Sequence, residues 1–96
     1  MLEYLKKHIL EEIDGAIDYM MKAIEHKGTT MGSKFYKMAE MEVEHANCLT
    51  HMFNATEKPQ DVTDASYAAM HKEVMEKYAS SMGKLEILKR LYWSQS

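Results

Sequence analysis

The sequence predicts an all-α protein, and three observations lead to that prediction. Apolar residues recur at alternating steps of three and four in two stretches, at about residues 2–26 and 33–53, and this spacing marks one face of an α-helix. Turn-forming residues separate these stretches from each other and from a third, looser helical stretch at about residues 62–92. No stretch alternates as a β-strand does. A chain of 96 residues with this pattern is expected to form a single domain of three helices.

The first predicted helix carries one charged residue within an otherwise apolar face. The residues that repeat the three-four step on this face are Leu2, Leu5, Ile9, Glu12, Ala16, Tyr19 and Ala23. A carboxylate on a face that packs against another helix needs a partner, because burying an unpaired charge is costly. Glu12 is therefore the first candidate for a functional role.

The second predicted helix carries a charged pair on its own face. Residues 27–33 contain two glycines and three hydroxyl residues, and so short a turn favours an antiparallel hairpin of the first two helices. The face of the second helix consists of Phe35, Met38, Glu42, His45, Leu49 and Met52. Glu42 and His45 are three residues apart, so they lie one above the other and should point into whatever this helix packs against.

The third predicted helix is the least regular of the three. Pro59 interrupts the chain before it, and either Asp61 or Thr63 is suited to cap its first turn. Residues 80–83 include two serines and a glycine, so the helix is expected to be weakest there. We expect it to cover the side of the hairpin or to mediate a higher assembly.

Glu12, Glu42 and His45 are expected to converge between the first two helices. Counted back from the turn, Glu12 lies roughly fourteen residues away and the pair roughly eleven, and this mismatch corresponds to about one helical turn. Two carboxylates at close range should not both ionise without a cation, and a mixture of oxygen and nitrogen ligands suits iron, manganese or zinc. The alternative is a polar cluster whose members satisfy one another, or a loose groove open to solvent.

Three ligands do not complete a site for two metal ions, and a second copy of the chain would supply the remainder. Two hairpins related by a two-fold axis make a four-helix bundle whose centre receives one Glu from each of two helices and a Glu-x-x-His from each of the others. Two-fold dimers are also the commonest oligomers. The sequence therefore predicts a homodimer that holds two metal ions.

Two segments resemble the ferritin and rubrerythrin family. Residues 11–20 resemble the first helix of these proteins, in which a metal-binding Glu is followed seven residues later by a Tyr, here Glu12 and Tyr19. Residues 38–46 resemble their second helix with its Glu-x-x-His motif. The chain lacks the second pair of ligand-bearing helices of full-length members, and in this it looks like the half-length, encapsulated type whose subunits dimerise around iron.

The resemblance implies ferroxidase chemistry, in which Fe(II) is oxidised to Fe(III) by oxygen or peroxide. It assigns a bridging role to Glu42 and terminal roles to Glu12 and His45, with two iron ions per dimer. It places Tyr19 close to the metals as a hydrogen-bond donor or redox bystander, whereas the alternative for Tyr19 is an aromatic of the core. Residues 91–96 do not resemble the cargo peptide of encapsulated members, which argues against a shell partner.

Composition excludes several other classes of function. The net charge of −3 leaves no basic surplus to neutralise phosphates, so nucleic acid is not an expected partner. Residues 1–20 are charged throughout and offer no signal-peptide core, and no apolar run is long enough to span a bilayer. Cys48 is the only cysteine, which fits a reducing compartment and hence the cytoplasm.

Two rival functions remain at this level. The first is a rubrerythrin-like scavenger of peroxide or oxygen, although the chain has no Cys-x-x-Cys pair to hold a separate electron-transfer iron. The second is a metal-free helical assembly module in which Glu12, Glu42 and His45 only set the register of packing.

Overall fold

Three α-helices account for the structure, which is a computed structural model that describes residues 1–94. Helix α1 spans Leu2–Glu25, α2 spans Thr30–Ala55 and α3 spans Asp64–Trp93. No strand occurs in these residues, so the all-α prediction is confirmed. Within the same range, no helix is long and apolar enough to cross a membrane. The last two residues of the tail considered above, Gln95 and Ser96, lie outside the described residues.

Helix α1 is the helix that both of the others approach most closely. The turn at residues 26–29 makes α1 and α2 antiparallel, and α3 then runs parallel to α1. Near the start of α1, Lys6 Nζ lies 2.8 Å from Glu73 Oε2 of α3, and just beyond its end Lys27 Nζ donates to the carbonyl oxygen of Leu91 at 3.3 Å. Across the described chain, Cα atoms of α2 and α3 do not come within 8 Å of each other. The domain is accordingly elongated, with extents of 53 × 18 × 15 Å.

The core is built on the apolar face of α1. Ile9, Ile13 and Met20 are fully buried there, whereas Glu12 and Tyr19 of the predicted face are only half-buried. Helix α2 packs against this face mainly with small residues, and its buried positions are Gly32, Ala39, Ala46, Thr50 and Phe53. Small side chains let the two helix backbones approach closely, and Phe53 fills the wider end of the hairpin.

The face of α2 that was predicted to point inward lies at the edge of the hairpin instead. Met38 is 39% exposed and Met52 is 48% exposed, although both belong to the predicted inward face. The physical reason is that the neighbouring stripe of small residues, which includes Ala39 and Ala46, fits closer to α1 and takes the buried position. Within one chain, the Met-bearing face therefore has no helix over it.

The helix starts follow from side-chain caps. Thr29 Oγ1 accepts a hydrogen bond from the backbone N–H of Gly32 at 3.1 Å, so α2 begins three residues before the predicted position. Thr63 Oγ1 accepts in the same way from Ser66 at 3.1 Å, which selects Thr63 over Asp61 as the cap of α3. Helix α3 continues without interruption through residues 80–83, where the sequence predicts its weakest point.

Candidate metal centre

A groove opens between α1 and α2 on the side of the hairpin away from α3. It has a volume of about 290 Å³, and its lining residues are Tyr4, His8, Glu12, His45, Cys48 and Leu49. Helix α3 contacts the hairpin through other residues, among them Lys6 and Asp14 of α1 and Asn47 of α2. The groove is therefore walled by the hairpin alone and faces solvent.

Glu12, Glu42 and His45 come together at this groove. Each offers one ligand atom, and these atoms all lie within 4.8 Å of one another. Glu42 and His45 stand one turn apart on α2, and Glu12 faces them from α1. His45 Nδ1 is 3.5 Å from Glu12 Oε2. Glu42 is half-buried, the Glu12 side chain is 25% exposed and the His45 side chain is 56% exposed, so a cation could reach the cluster from solvent.

The two carboxyls disturb each other electrostatically. A hydrogen bond shared with Glu12 raises the pKa of Glu42 to about 7, burial and the negative charge of Glu12 add to the rise, and His45 opposes it. That hydrogen bond exists only while Glu42 keeps its proton. The buried Glu12 Oε2 has no hydrogen-bond partner among the residues that the structure describes, and the His45 ring nitrogen lies 3.5 Å from it. At neutral pH the cluster thus needs either a proton or a cation.

A divalent cation suits this donor set. Two carboxylates and one imidazole are the ligand types that iron, manganese and zinc accept, and the unpartnered Glu12 oxygen is a vacant acceptor directed into the cluster. Glu12, Glu42 and His45 are the residues that would hold the ion. Because all three residues belong to the hairpin, any further ligands would have to come from the open side of the groove.

Tyr19 lies two turns beyond Glu12 on α1, and it packs among aromatic side chains. It is half-buried against the core, and its ring centroid is 6.2 Å from that of Phe35. It does not line the groove. The position is that of a core aromatic, and a redox role for Tyr19 stays a prediction.

Tyr4 and His8 extend the groove toward the start of α1, and Tyr4 was not among the residues singled out from the sequence. The two rings are in contact in a tilted arrangement, with centroids 4.3 Å apart and planes at 44°, and His8 Nδ1 also lies 3.5 Å from Glu11 Oε2. The signal that could have found Tyr4 is its spacing, because Tyr4, His8 and Glu12 follow one another at steps of four along one face of α1.

Exposed methionines flank the centre on α2. Met38, Met41 and Met52 are all exposed on the groove side of this helix, and Met31 extends the row toward its start. We call these four residues the methionine flank. An apolar row beside a polar cluster is typical of a surface that contacts another molecule.

The fold and the site together define a class: an all-α protein whose two-helix hairpin carries two carboxylates and an imidazole on an open face. No protein-family profile, no curated protein and no solved structure matches this chain.

Proposed function

We propose that this protein is a ferroxidase that oxidises Fe(II) to Fe(III), with oxygen or peroxide as the oxidant, at a site formed between two copies of the chain. The observation that carries the proposal is the convergence of Glu12, Glu42 and His45 within 4.8 Å, with one buried carboxylate oxygen left unpartnered. A bound cation would offset the repulsion between the carboxylates and would give the unsatisfied oxygen a partner. A face that served only as apolar core would have neither the repulsion nor the unsatisfied oxygen.

A second copy of the chain completes the coordination that one hairpin begins. The cluster occupies one side of an open groove, and the methionine flank beside it is exposed in the single chain. Two hairpins facing each other across a two-fold axis bring one Glu12 and one Glu-x-x-His pair from each copy, which is the ligand number of a di-iron carboxylate bundle. A chain of 96 residues also has little core of its own, so the burial of this face adds stability.

The reaction balances with Fe(II) as the substrate. Two Fe(II) ions each lose one electron, and dioxygen takes up both electrons with two protons and leaves as hydrogen peroxide; if hydrogen peroxide is the oxidant, it takes two electrons and two protons and leaves as two water molecules. In this proposal Glu42 would be the ligand shared between the two ions, and Glu12 and His45 would be terminal ligands. The negative carboxylates favour the more highly charged product.

Glu42 also has a proton to lose when iron arrives. Its pKa of about 7 means that it is partly protonated at neutral pH, and an incoming cation competes directly with that proton. His45 contributes a neutral nitrogen only when its ring is deprotonated. Iron uptake is therefore expected to weaken as the solution is made acidic.

The same pKa favours one competing function, a metal-free assembly module. When Glu42 is protonated it donates to Glu12, and the cluster is then satisfied without a cation. In that case the three residues would fix the register of the dimer and would have no catalytic role.

Iron stoichiometry and oxidation kinetics separate these two functions. We expect the purified protein to bind one iron per subunit and to oxidise Fe(II), followed by the ultraviolet absorbance of Fe(III). Glu42→Ala should abolish both properties. Glu44→Ala removes an exposed carboxylate of the same helix, so it is the matched control and should retain both. A wild-type protein that neither binds nor oxidises iron would leave the assembly module as the function.

A further inference from the structure

A glycine lies in the interior of helix α1, where glycine weakens a helix. Gly15 is thirteen residues after the start of a helix that spans Leu2–Glu25. The backbone does not require glycine here, because Gly28 is the only residue among residues 1–94 with a positive φ, at 85°. Glycine in a helix interior is less favourable than alanine, so its presence needs another reason.

The reason lies in what occupies the space above Gly15. A Cβ atom built on Gly15 would lie 3.0 Å from Glu42 Oε2, 3.7 Å from Cδ and 3.9 Å from Cγ of the same side chain. The three nearest atoms thus all belong to the Glu42 side chain, and the two nearest are atoms of its carboxyl. The first of these distances is shorter than an ordinary van der Waals contact, so a methyl group at this position would push the carboxyl oxygen away by a few tenths of an ångström.

The location of Gly15 ties this space to the rest of the cluster. Gly15 follows Glu12 by three residues and so lies one turn further along the same side of α1. The Glu42 side chain extends from α2 to α1, and its carboxyl lies against the α1 backbone beside Glu12. This contact keeps the two carboxyls close together, although their like charges favour separation when both are ionised.

We propose that Gly15 is a positioning residue of the metal centre: the absence of a side chain at this position lets the Glu42 carboxylate seat against α1, within reach of an ion that is shared with Glu12. This inference rests on the proposed function. It explains why a position that favours alanine for helix stability carries glycine instead. Gly15 touches no iron itself and acts only through Glu42.

The chain provides both a variant that tests this role and a matched control. Gly15→Ala adds one methyl group against the end of a flexible side chain, which yields without unfolding the hairpin. Gly83→Ala makes the same change in the interior of α3, where a Cβ would meet nothing within 4 Å. Both substitutions raise helix propensity, so both metal-free variants should unfold at the wild-type temperature or above it.

The experiment measures Co(II) binding by titration calorimetry and by the visible absorption of the bound ion. We expect Gly15→Ala to weaken Co(II) binding by about tenfold, as is typical when a residue that orients a ligand is changed, and to alter the absorption bands. Gly83→Ala should change neither. The shorter Glu42→Asp side chain vacates the contested space, so Gly15→Ala should cost much less affinity in that background.

Each outcome decides between the possibilities. If wild-type protein binds Co(II) and Gly15→Ala binds it equally well with the same spectrum, the positioning role is wrong and the proposed function stands. If metal-free Gly15→Ala unfolds at a much lower temperature while Gly83→Ala does not, Gly15 has a packing role and the positioning role is wrong. If the wild-type protein binds no Co(II), the metal centre itself is overturned, and this inference falls with it.

Discussion

The two sides of the α1–α2 hairpin differ in whether their polar side chains are paired with one another. On the side covered by α3, polar groups are paired: Lys6 with Glu73, Asp14 with Lys77 at 3.7 Å, and the Tyr78 hydroxyl donating to Asn47. On the groove side, the Glu12 and Glu42 carboxyls face each other, and the buried Glu12 Oε2 has no hydrogen-bond partner within the described residues, although the exposed His45 ring lies 3.5 Å from it. The covered side pairs its polar groups within one chain, whereas we propose that a cation and a second copy complete the groove side.

The apolar residues of the two sides differ in the same sense. Val74 and Leu85 of α3 are buried against the hairpin, while the methionine flank stays exposed. The exposed pairs on the covered side contribute little energy, since surface ion pairs are worth about 0–1 kcal/mol each. The buried apolar surface therefore provides most of the stability of that side. On the groove side the equivalent surface is available for a second copy.

The largest expected effect comes from breaking the covered core. Ile9→Ala removes buried methyl groups from a side chain with 0% exposure, so it should lower the free energy of unfolding by about 3 kcal/mol. The measurement is chemical denaturation at fixed protein concentration. Met21→Ala truncates an exposed side chain of the same helix and should change the stability little. Equal losses in the two variants would contradict the assignment of the core to this face.

A charge on the methionine flank should have the next largest effect. Met52→Glu places a carboxylate on the open face, and a two-fold dimer would contain this carboxylate twice. We therefore expect the dissociation constant of the dimer to rise about tenfold, which corresponds to about 1.4 kcal/mol. Analytical ultracentrifugation over a concentration series measures this change. Ile87→Glu, at an exposed apolar position of α3, is the control. If only the control weakens the dimer, the interface lies on α3 and the proposed site is not shared.

The smallest expected effect is a pH dependence that arises from the cluster. The pKa of Glu42 is about 7 in the fold against an ordinary value of 4.5, so the folded protein retains a proton that the unfolded chain has lost. Metal-free wild-type protein should therefore lose stability as the pH rises from about 4.5 to about 7, by about 1 kcal/mol after allowance for solvent screening.

Glu42→Gln isolates this contribution. The amide cannot ionise, so the variant should match the wild type at low pH and exceed it above neutrality in thermal unfolding of the metal-free protein. Glu44→Gln changes an exposed carboxylate nearby and should leave the slope unaltered. Parallel pH profiles for wild type and Glu42→Gln would show that the two carboxyls do not interact, and the comparison between the two sides would lose its electrostatic basis.

The amino-acid pattern by itself determined the three helices, the hairpin turn and the meeting of Glu12, Glu42 and His45. These features are local or nearly so: three-four periodicity identifies a helix face, Gly28 marks the turn, and a short antiparallel hairpin brings residues at similar distances from the turn to the same level. The residue that caps α3 was narrowed to two candidates, because both side chains are able to accept the same backbone hydrogen bond.

Only the tertiary structure decided which stripe of α2 is buried and which side chain lies over Gly15. Ala39 and Met38 are adjacent in sequence, and periodicity alone does not tell whether the closest helix approach favours the small side chain or the large one. The space above Gly15 is filled by a residue twenty-seven positions away, Glu42. Close packing is a property of pairs of surfaces, and one helix read alone contains only half of each pair.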